Sequence, residues 1–155
     1  MPQVTKGGKY IFGWSKVNDD LSIQLPEMAI SEYNITAEGK VIIISGSIKT
    51  GGFVVTRKEL LLNSKIGNIL KDNPHLCDYK IEEGECIKYK GRLYGWCNIS
   101  KAGKLRLNQK TMETLDINIG DKLLSIRSSD IAFCMGQKGE LIEKAKSYQG
   151  EIVVY

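Results

Sequence analysis

The stretches YIFGWSKV (residues 10–17) and RLYGWCNI (residues 92–99) each place an aromatic residue, a glycine and a tryptophan in succession. They contain Trp14 and Trp96, the only tryptophans of the 155-residue chain. The two tryptophans stand 82 positions apart, and this offset holds without a gap over more than thirty residues. Few residues are identical, but the apolar positions coincide almost throughout: Val17 with Ile99, Ile23 with Leu105, Leu25 with Leu107, Ile35 with Ile117, and Ile44 with Ile126. The sequence therefore predicts an internal duplication.

The ends of the two predicted units are also alike, because EGECIKY at 83–89 resembles QGEIVVY at 149–155. We therefore place one unit at residues 1–89 and the other at residues 90–155, and we expect the two to pack as one domain. The first unit is longer. Its additional residues, NSKIGNILKDNPHLCDYKIEE (63–83), predict a helical C-terminal extension.

Each unit shows the same order of predicted elements. A strand with the aromatic-Gly-Trp stretch leads through a polar turn into LSIQL (21–25) or KLRL (104–107), whose alternation is typical of a half-buried strand. A short helix then begins at Pro26 or after Asn108, both suited to a helix start. Two strands and a second helix follow, namely KVIIIS, GGFVVT and KELL in the first unit, and KLLSIR, IAFCMG and GELIEKAKSY in the second. We predict a mainly β fold with short helices.

Composition indicates a soluble globular protein. Hydrophobic residues make up 42% of the chain and charged residues 26%, and the formal net charge is +4. We find no run of about 18 apolar residues that would cross a membrane and no signal-peptide pattern, so we expect a cytoplasmic protein with no membrane partner. A mildly basic charge is compatible with a polyanionic partner but does not require one.

Catalytic and metal-binding motifs are not apparent. The four cysteines lack the paired close spacings of a zinc site, and His75 is the only histidine. We interpret the cysteines as reduced, small apolar residues. The sequence therefore predicts no enzyme, no catalytic residues, no metal and no cofactor.

The second unit resembles a known family over SKAGKLRLNQKTMETLDINIGDKLLSIR (100–127). A turn with Gly-Lys, an apolar strand, a helix, and then Gly-Asp before a strand is similar to the SpoVT/AbrB-like family of swapped-hairpin domains. The matching residues are Gly103-Lys104, Leu105 to Leu107, Leu115, Ile117 and Gly120-Asp121-Lys122-Leu123. The first unit matches more loosely, through Leu25-Pro26-Glu27, Tyr33, Ile35 and Lys40-Val41, with Glu38-Gly39 in place of Gly-Asp.

This resemblance implies that hairpins from two units interleave into one closed barrel. We expect two swapped-hairpin units to form a pseudo-two-fold barrel within one chain. The alternative is a true dimer, in which each unit pairs with a second chain. A higher oligomer through the barrel or the helical tails is compatible with either arrangement.

The resemblance also implies duplex DNA as a partner, bound by basic side chains that neutralise phosphates. The residues at or near the family's basic positions are Lys16, Lys101, Lys104, Arg106 and Lys110. The first unit has Ser22 and Gln24 where the second has Lys104 and Arg106. We predict an AbrB-like DNA-binding transcriptional regulator that acts through a basic barrel face. The alternative is a non-catalytic protein- or small-anion-binding module that has lost DNA readout.

A second candidate site is SGSIKTGGFVVTRK (45–58), which is rich in glycine and hydroxyl groups. Backbone N–H groups of such loops can bind an anion, and the residues to consider are Ser47, Thr50, Arg57 and Lys58. The alternative is a hairpin tip with Gly51-Gly52 at its turn.

The repeated aromatic-Gly-Trp stretch itself favours a packing role. We expect Trp14 and Trp96 to be buried near the pseudo-axis, with each glycine admitting a neighbouring backbone. The alternative is a pair of exposed aromatics at a partner surface.

Overall fold

The computed structural model describes residues 8–155 and has a mainly β architecture with short helices. The strands are β1 (Ile11–Lys16), β2 (Ser22–Gln24), β3 (Lys40–Ser45), β4 (Phe53–Thr56), β5 (Ile87–Tyr89), β6 (Arg92–Asn98), β7 (Lys104–Arg106), β8 (Lys122–Arg127) and β9 (Phe133–Gly136). The helices are α1 (Glu27–Tyr33), α2 (Lys58–Leu62), α3 (Asn68–Asp72), α4 (Pro74–Cys77), α5 (Gln109–Thr114) and α6 (Glu140–Lys146). None of the helices within residues 8–155 has the length and apolar character that a membrane crossing requires.

The strands form two antiparallel sheets. The large sheet has seven strands in the order β1-β8-β9-β4-β3-β6-β5, and the small sheet pairs β2 with β7. Within residues 8–155 no closed barrel is detected, because β1 and β5 are the two ends of the large sheet. The prediction of a mainly β fold with short helices is therefore confirmed, whereas the expected barrel is replaced by an open sheet that faces a two-stranded one.

Strands from the first half of the chain pair with strands from the second half. β1 pairs with β8, β3 with β6, and β2 with β7. Trp14 lies opposite Leu124, and Trp96 lies opposite Ile42 in the same relative register. At the middle of the large sheet Val54 lies opposite Cys134, with Phe53 and Val55 opposite Met135 and Phe133.

The main core lies between the two sheets, with smaller clusters on the outer face of the large sheet. Phe12, Phe53 and Phe133 are fully buried in the main core together with Ile23 and Leu105 of the small sheet. The helices α2, α3 and α4 cover one end of the outer face, over β3 and β6. Helix α6 covers the other end, over β1 and β8. Within residues 8–155, the middle of the outer face, at β4 and β9, therefore lies between these two helical covers.

Both tryptophans are buried, as the repeated stretch predicts. Trp14 is 7% exposed and Trp96 is 9% exposed. Trp14 packs with Ile142 and Ala145 of α6, whereas Trp96 packs with Leu61 of α2 and donates an indole hydrogen bond to the Ile81 carbonyl oxygen at 2.8 Å. The repeated stretch predicts both side chains near the pseudo-axis. In the structure they instead lie at opposite ends of the outer face.

The repeated tails cover the two ends of the large sheet. β5 pairs with β6 in antiparallel fashion, whereas residues 153–155 run parallel to β1. The Trp14 amide donates to the Val153 carbonyl at 2.8 Å, and the Tyr155 amide donates to the Trp14 carbonyl at 2.7 Å. Covering strands satisfy edge N–H and C=O groups that would otherwise recruit another chain.

The glycines of the repeat make this close approach possible. A Cβ atom on Gly95 would lie 2.6 Å from the Glu85 carbonyl oxygen, and one on Gly13 would lie 2.9 Å from that of Val153. Each glycine therefore admits a neighbouring backbone, as predicted.

Replacing Gly95 by alanine is expected to destabilise the protein. The added methyl group collides with backbone that cannot rotate away, which costs about 1–3 kcal/mol of unfolding free energy. Urea unfolding followed by circular dichroism measures the change. Asn98→Ala is the control, because Asn98 is an exposed residue of the same strand and its loss should change stability by less than about 0.5 kcal/mol. Equal stability of the two variants would show that the close approach at Gly95 has no energetic importance.

Candidate nucleic-acid interface

The predicted DNA-binding residues lie around the small sheet and are all exposed. Lys104 and Arg106 belong to β7, where they lie opposite Gln24 and Ser22. Lys16 ends β1, Lys101 occupies the turn before β7, and Lys110 lies on α5. The structure therefore places these five residues around one side of the molecule.

Acidic side chains neutralise part of this surface. Arg106 forms an ion pair with Asp20 at 3.3 Å, and Lys110 forms one with Glu85 at 3.5 Å. Hydrogen bonds from Ser22, and secondarily the Arg106 charge, lower the pKa of Asp20 below its usual range. A shallow depression beside Lys16 and Lys104 also includes Asp19 and Asp20. The small-sheet face therefore carries mixed charge rather than a continuous basic field.

The candidate ligand loop is divided between two places. Ser47 and Thr50 lie together, with their hydroxyl oxygens 3.0 Å apart, and the Thr50 amide donates to the Ser47 hydroxyl at 3.2 Å. The Thr50 carbonyl accepts hydrogen bonds from the amides of Gln137 and Lys138. The hydroxyl groups of this loop therefore stabilise the hairpin tip, where Gly51 and Gly52 adopt positive φ angles.

Arg57 and Lys58 lie elsewhere, at the start of α2. The Arg57 guanidinium is buried, donates to the Tyr33 carbonyl oxygen at 3.1 Å, and forms ion pairs with Glu38 at 3.3 Å and Glu59 at 3.1 Å. The Lys58 ammonium lies 5.3 Å from the centre of the Tyr79 ring. These contacts tie α2 and the helical extension to the main body, so neither side chain faces the Ser47–Thr50 turn.

Another basic surface lies on the outer face of the large sheet, between the helical covers. We call this surface the outer groove. One half is a depression of about 400 Å³ beside α6 and β8, and the other is a depression of about 430 Å³ beside α2 and β6. Ser128 borders both depressions, so the two adjoin at this residue. Ile44 lines one half and Ile126, 82 positions later, lines the other.

Cationic side chains dominate both halves of the outer groove. The half beside α6 is lined by Lys9, Lys49, Arg127, Lys138 and Lys144, with Glu140 as its acidic residue. The half beside α2 is lined by Lys65, Lys90 and Arg92. Glu140 pairs with Lys144 at 3.0 Å, and Arg127 is paired with Glu32. Within residues 8–155, no ion pair engages Lys9, Lys49 or Lys138.

The centre of the outer groove is at Cys134 of β9, beside Val54 of β4. Burial raises the pKa of the Cys134 thiol, whereas a hydrogen bond with Thr50 and the charges of Lys9 and Arg92 lower it. Lys9 belongs to one half of the groove and Arg92 to the other. Positive charge from both halves therefore acts at the centre of the sheet.

Charge is segregated on this molecule. Within residues 8–155, eight lysine and arginine side chains line the outer groove, against one acidic side chain. The other residues of 8–155 carry 13 basic and 17 acidic side chains, so that part of the chain is net acidic. A net charge of +4 is thus the sum of a strongly basic groove and an acidic remainder.

Metal chemistry has no assembled site in the part of the chain that is described. No group of three or more His, Cys, Asp or Glu side chains is arranged there to hold a metal ion. His75 is exposed on α4.

No model of a known protein family matches the chain, and no curated protein matches it significantly.

Replacing Arg57 by alanine is expected to reduce stability without changing anion binding. The change leaves Glu38 without its buried partner and the Tyr33 carbonyl without a donor, at a cost of about 2–3 kcal/mol. Urea unfolding measures this cost, and a thermal-shift titration with inorganic phosphate measures anion binding. Lys58→Ala is the control, which removes one cation–π contact and should cost less than about 1 kcal/mol. Retained stability together with loss of a phosphate-induced shift would instead place Arg57 in a ligand site.

Proposed function

We propose that this protein is a non-enzymatic duplex-DNA-binding protein that holds DNA phosphates in the outer groove. The observation that carries the proposal is the set of eight cationic side chains and one acidic side chain that line this groove. Phosphates of duplex DNA are bound chiefly by such lysine and arginine side chains, with release of condensed counterions. The unpaired lysines Lys9, Lys49 and Lys138 are the principal phosphate contacts.

A duplex suits the groove better than a single strand. Proteins that hold single strands stack bases on exposed aromatic rings. Of the aromatic residues within 8–155, those that line the outer groove are Tyr89 and Tyr94, both at one end, and Tyr94 is 8% exposed. The two halves of the groove lie on either side of the Val54–Cys134 pair, which matches the local two-fold symmetry of a duplex.

The proposed architecture is a tandem pair of swapped-hairpin, AbrB-like units, at residues 1–89 and 90–155. Its support is the exchange of strands between halves in equivalent registers, such as Trp14 with Leu124 and Trp96 with Ile42. The equivalent strands of the two units are β1 and β6, β3 and β8, and β4 and β9. Exchanging them gives the same order of the six strands, read from the other end of the sheet. Under this proposal one chain supplies the pseudo-two-fold arrangement that two chains supply in the family.

The biological role that follows is regulation of transcription in the cytoplasm. The DNA-binding surface differs from the one the family resemblance implies, since Arg106 and Lys110 are paired with acidic residues. The same pairing favours a second candidate function, a protein- or small-anion-binding module, in which the small-sheet face is the interface.

Neutralising the groove lysines is expected to weaken DNA binding. The triple variant Lys9→Gln, Lys49→Gln, Lys138→Gln removes three phosphate contacts, so the slope of log affinity against log salt should fall by up to about 2.7. Fluorescence anisotropy with a labelled 20-base-pair duplex, titrated at several salt concentrations, measures both affinity and slope.

The matched control is Lys16→Gln, Lys101→Gln, Lys104→Gln, which removes the same charge from the small-sheet face. We expect it to bind DNA nearly as the unchanged protein does. If the control variant lost more DNA affinity than the groove variant, the small-sheet face that the family resemblance implies would be the DNA-binding surface. Absence of salt-dependent binding by the unchanged protein would remove the proposal and favour the interaction module.

Bound DNA is also expected to protect Cys134 from alkylation. The thiol lies at the centre of the groove, so a duplex at about ten times its dissociation constant occupies some 90% of the protein and slows modification about tenfold. N-ethylmaleimide labelling followed by peptide mass spectrometry measures the rate at each cysteine. Cys86 is the internal control, because it borders the small-sheet side of the molecule. Equal labelling of Cys134 with and without bound duplex would exclude the groove.

A further inference from the structure

A second concavity lies on the small-sheet side, away from the outer groove. It has a volume of about 660 Å³ and opens between the large sheet and the small sheet beside β6. Its apolar walls include Ile43, Ile99 and Leu107, which also belong to the main core. A cleft of this size and composition is typical of a small-molecule site. We call it the inter-sheet cleft.

The two halves of the molecule differ at the position that borders this cleft. At Gly13 the ring of Tyr155 packs so closely that a Cβ atom would lie 2.7 Å from it. At Gly95 the neighbours are the Glu85 carbonyl oxygen and the Cys86 sulfur, with no aromatic ring among the nearest contacts. The Tyr155 ring thus covers Gly13, whereas Gly95 borders the cleft.

The mouth of the cleft is positively charged. Lys104 and Arg106 line it, and Glu83 is its acidic residue. Glu83 accepts a hydrogen bond from the Asn98 amide at 2.6 Å, and Arg106 is paired with Asp20. Within residues 8–155, no ion pair engages Lys104. The Ser100 hydroxyl oxygen accepts from the Lys104 amide at 3.0 Å, which leaves the hydroxyl hydrogen available to a ligand.

We propose that the inter-sheet cleft binds a small carboxylic acid with an apolar body. The apolar part lies against Ile43, Ile99 and Leu107, and the carboxylate is held at the mouth by the Lys104 ammonium and the Ser100 hydroxyl. One unpaired cation at the mouth of an apolar cleft is complementary to a single negative charge on an apolar molecule. This site is independent of the DNA-binding proposal, because it lies on the opposite side of the large sheet.

Decanoate and its uncharged analogue decanol test the site by isothermal titration calorimetry. The unchanged protein should bind decanoate saturably. Lys104→Gln should weaken decanoate binding about tenfold or more, because a charged hydrogen bond is lost, and leave decanol binding unchanged. Lys104→Arg should retain most of the affinity. Lys101→Gln is the charge-matched control from the same turn and lies outside the cleft, so it should bind decanoate as the unchanged protein does.

Two further measurements locate the ligand. Decanoate should slow alkylation of Cys86, which lines the cleft, and not that of Cys134 in the outer groove. The groove variant with Lys9, Lys49 and Lys138 replaced by glutamine should bind decanoate normally. The proposal is overturned if decanoate does not bind saturably, if Lys101→Gln and Lys104→Gln weaken it equally, or if the groove variant alone loses binding.

Discussion

Neither half of this chain can satisfy its own backbone, and the fold depends on that constraint. Among residues 8–89, β1 has no strand partner and it hydrogen-bonds to β8, while β6 hydrogen-bonds to β3 across the same division. Buried backbone N–H and C=O groups must find partners, so each half folds only where the other supplies them. The small sheet follows the same rule, because in the described part of the chain β2 pairs with β7 alone. The main core is consequently shared between both halves, and its side chains cannot be divided into two independent clusters.

The tails of the two halves fulfil one requirement in two different ways. Both pair with a strand that carries the aromatic-Gly-Trp stretch, yet β5 approaches β6 in antiparallel fashion and residues 153–155 approach β1 in parallel. The glycine is needed in both cases, because the covering backbone lies where a side chain would be. The longer first tail adds α3 and α4 to the apolar cluster that contains Trp96, whereas α6 and Ile152 belong to the cluster that contains Trp14. The space between these covers is the outer groove, so the groove results from how the sheet protects its ends.

Local elements could be predicted from the sequence, because they depend on short-range patterns. The stretches KVIIIS and KLLSIR form β3 and β8 over the same residues, and Asn108 caps α5 by accepting from the Thr111 amide at 2.8 Å. The outer groove could not be predicted, because its lysines come from separate loops and strands that only the folded sheet brings together. The ion pair of Arg106 with Asp20 joins residues 86 positions apart, so no short-range sequence pattern predicts it. The basic face was therefore predicted from the lysine and arginine residues alone, because the sequence does not show which acidic residues form ion pairs with them.

The two proposed sites use opposite sides of the same strands. In β3, Ile43 lines the inter-sheet cleft and Ile44 lines the outer groove, since successive side chains of a strand point to opposite faces. β3 is held by pairing on both sides, so a ligand in the cleft cannot shift it without breaking both ladders. The hairpin of β5 and β6 is less constrained, because β5 ends the sheet. The segment that leads into this hairpin, residues 83–86, borders the cleft. Lys90 and Arg92, at the turn of the hairpin, line the groove. A ligand can alter an equilibrium only by its different affinity for two states. If the proposed DNA binding and the cleft influence each other, we expect this hairpin to connect them, because it borders both sites.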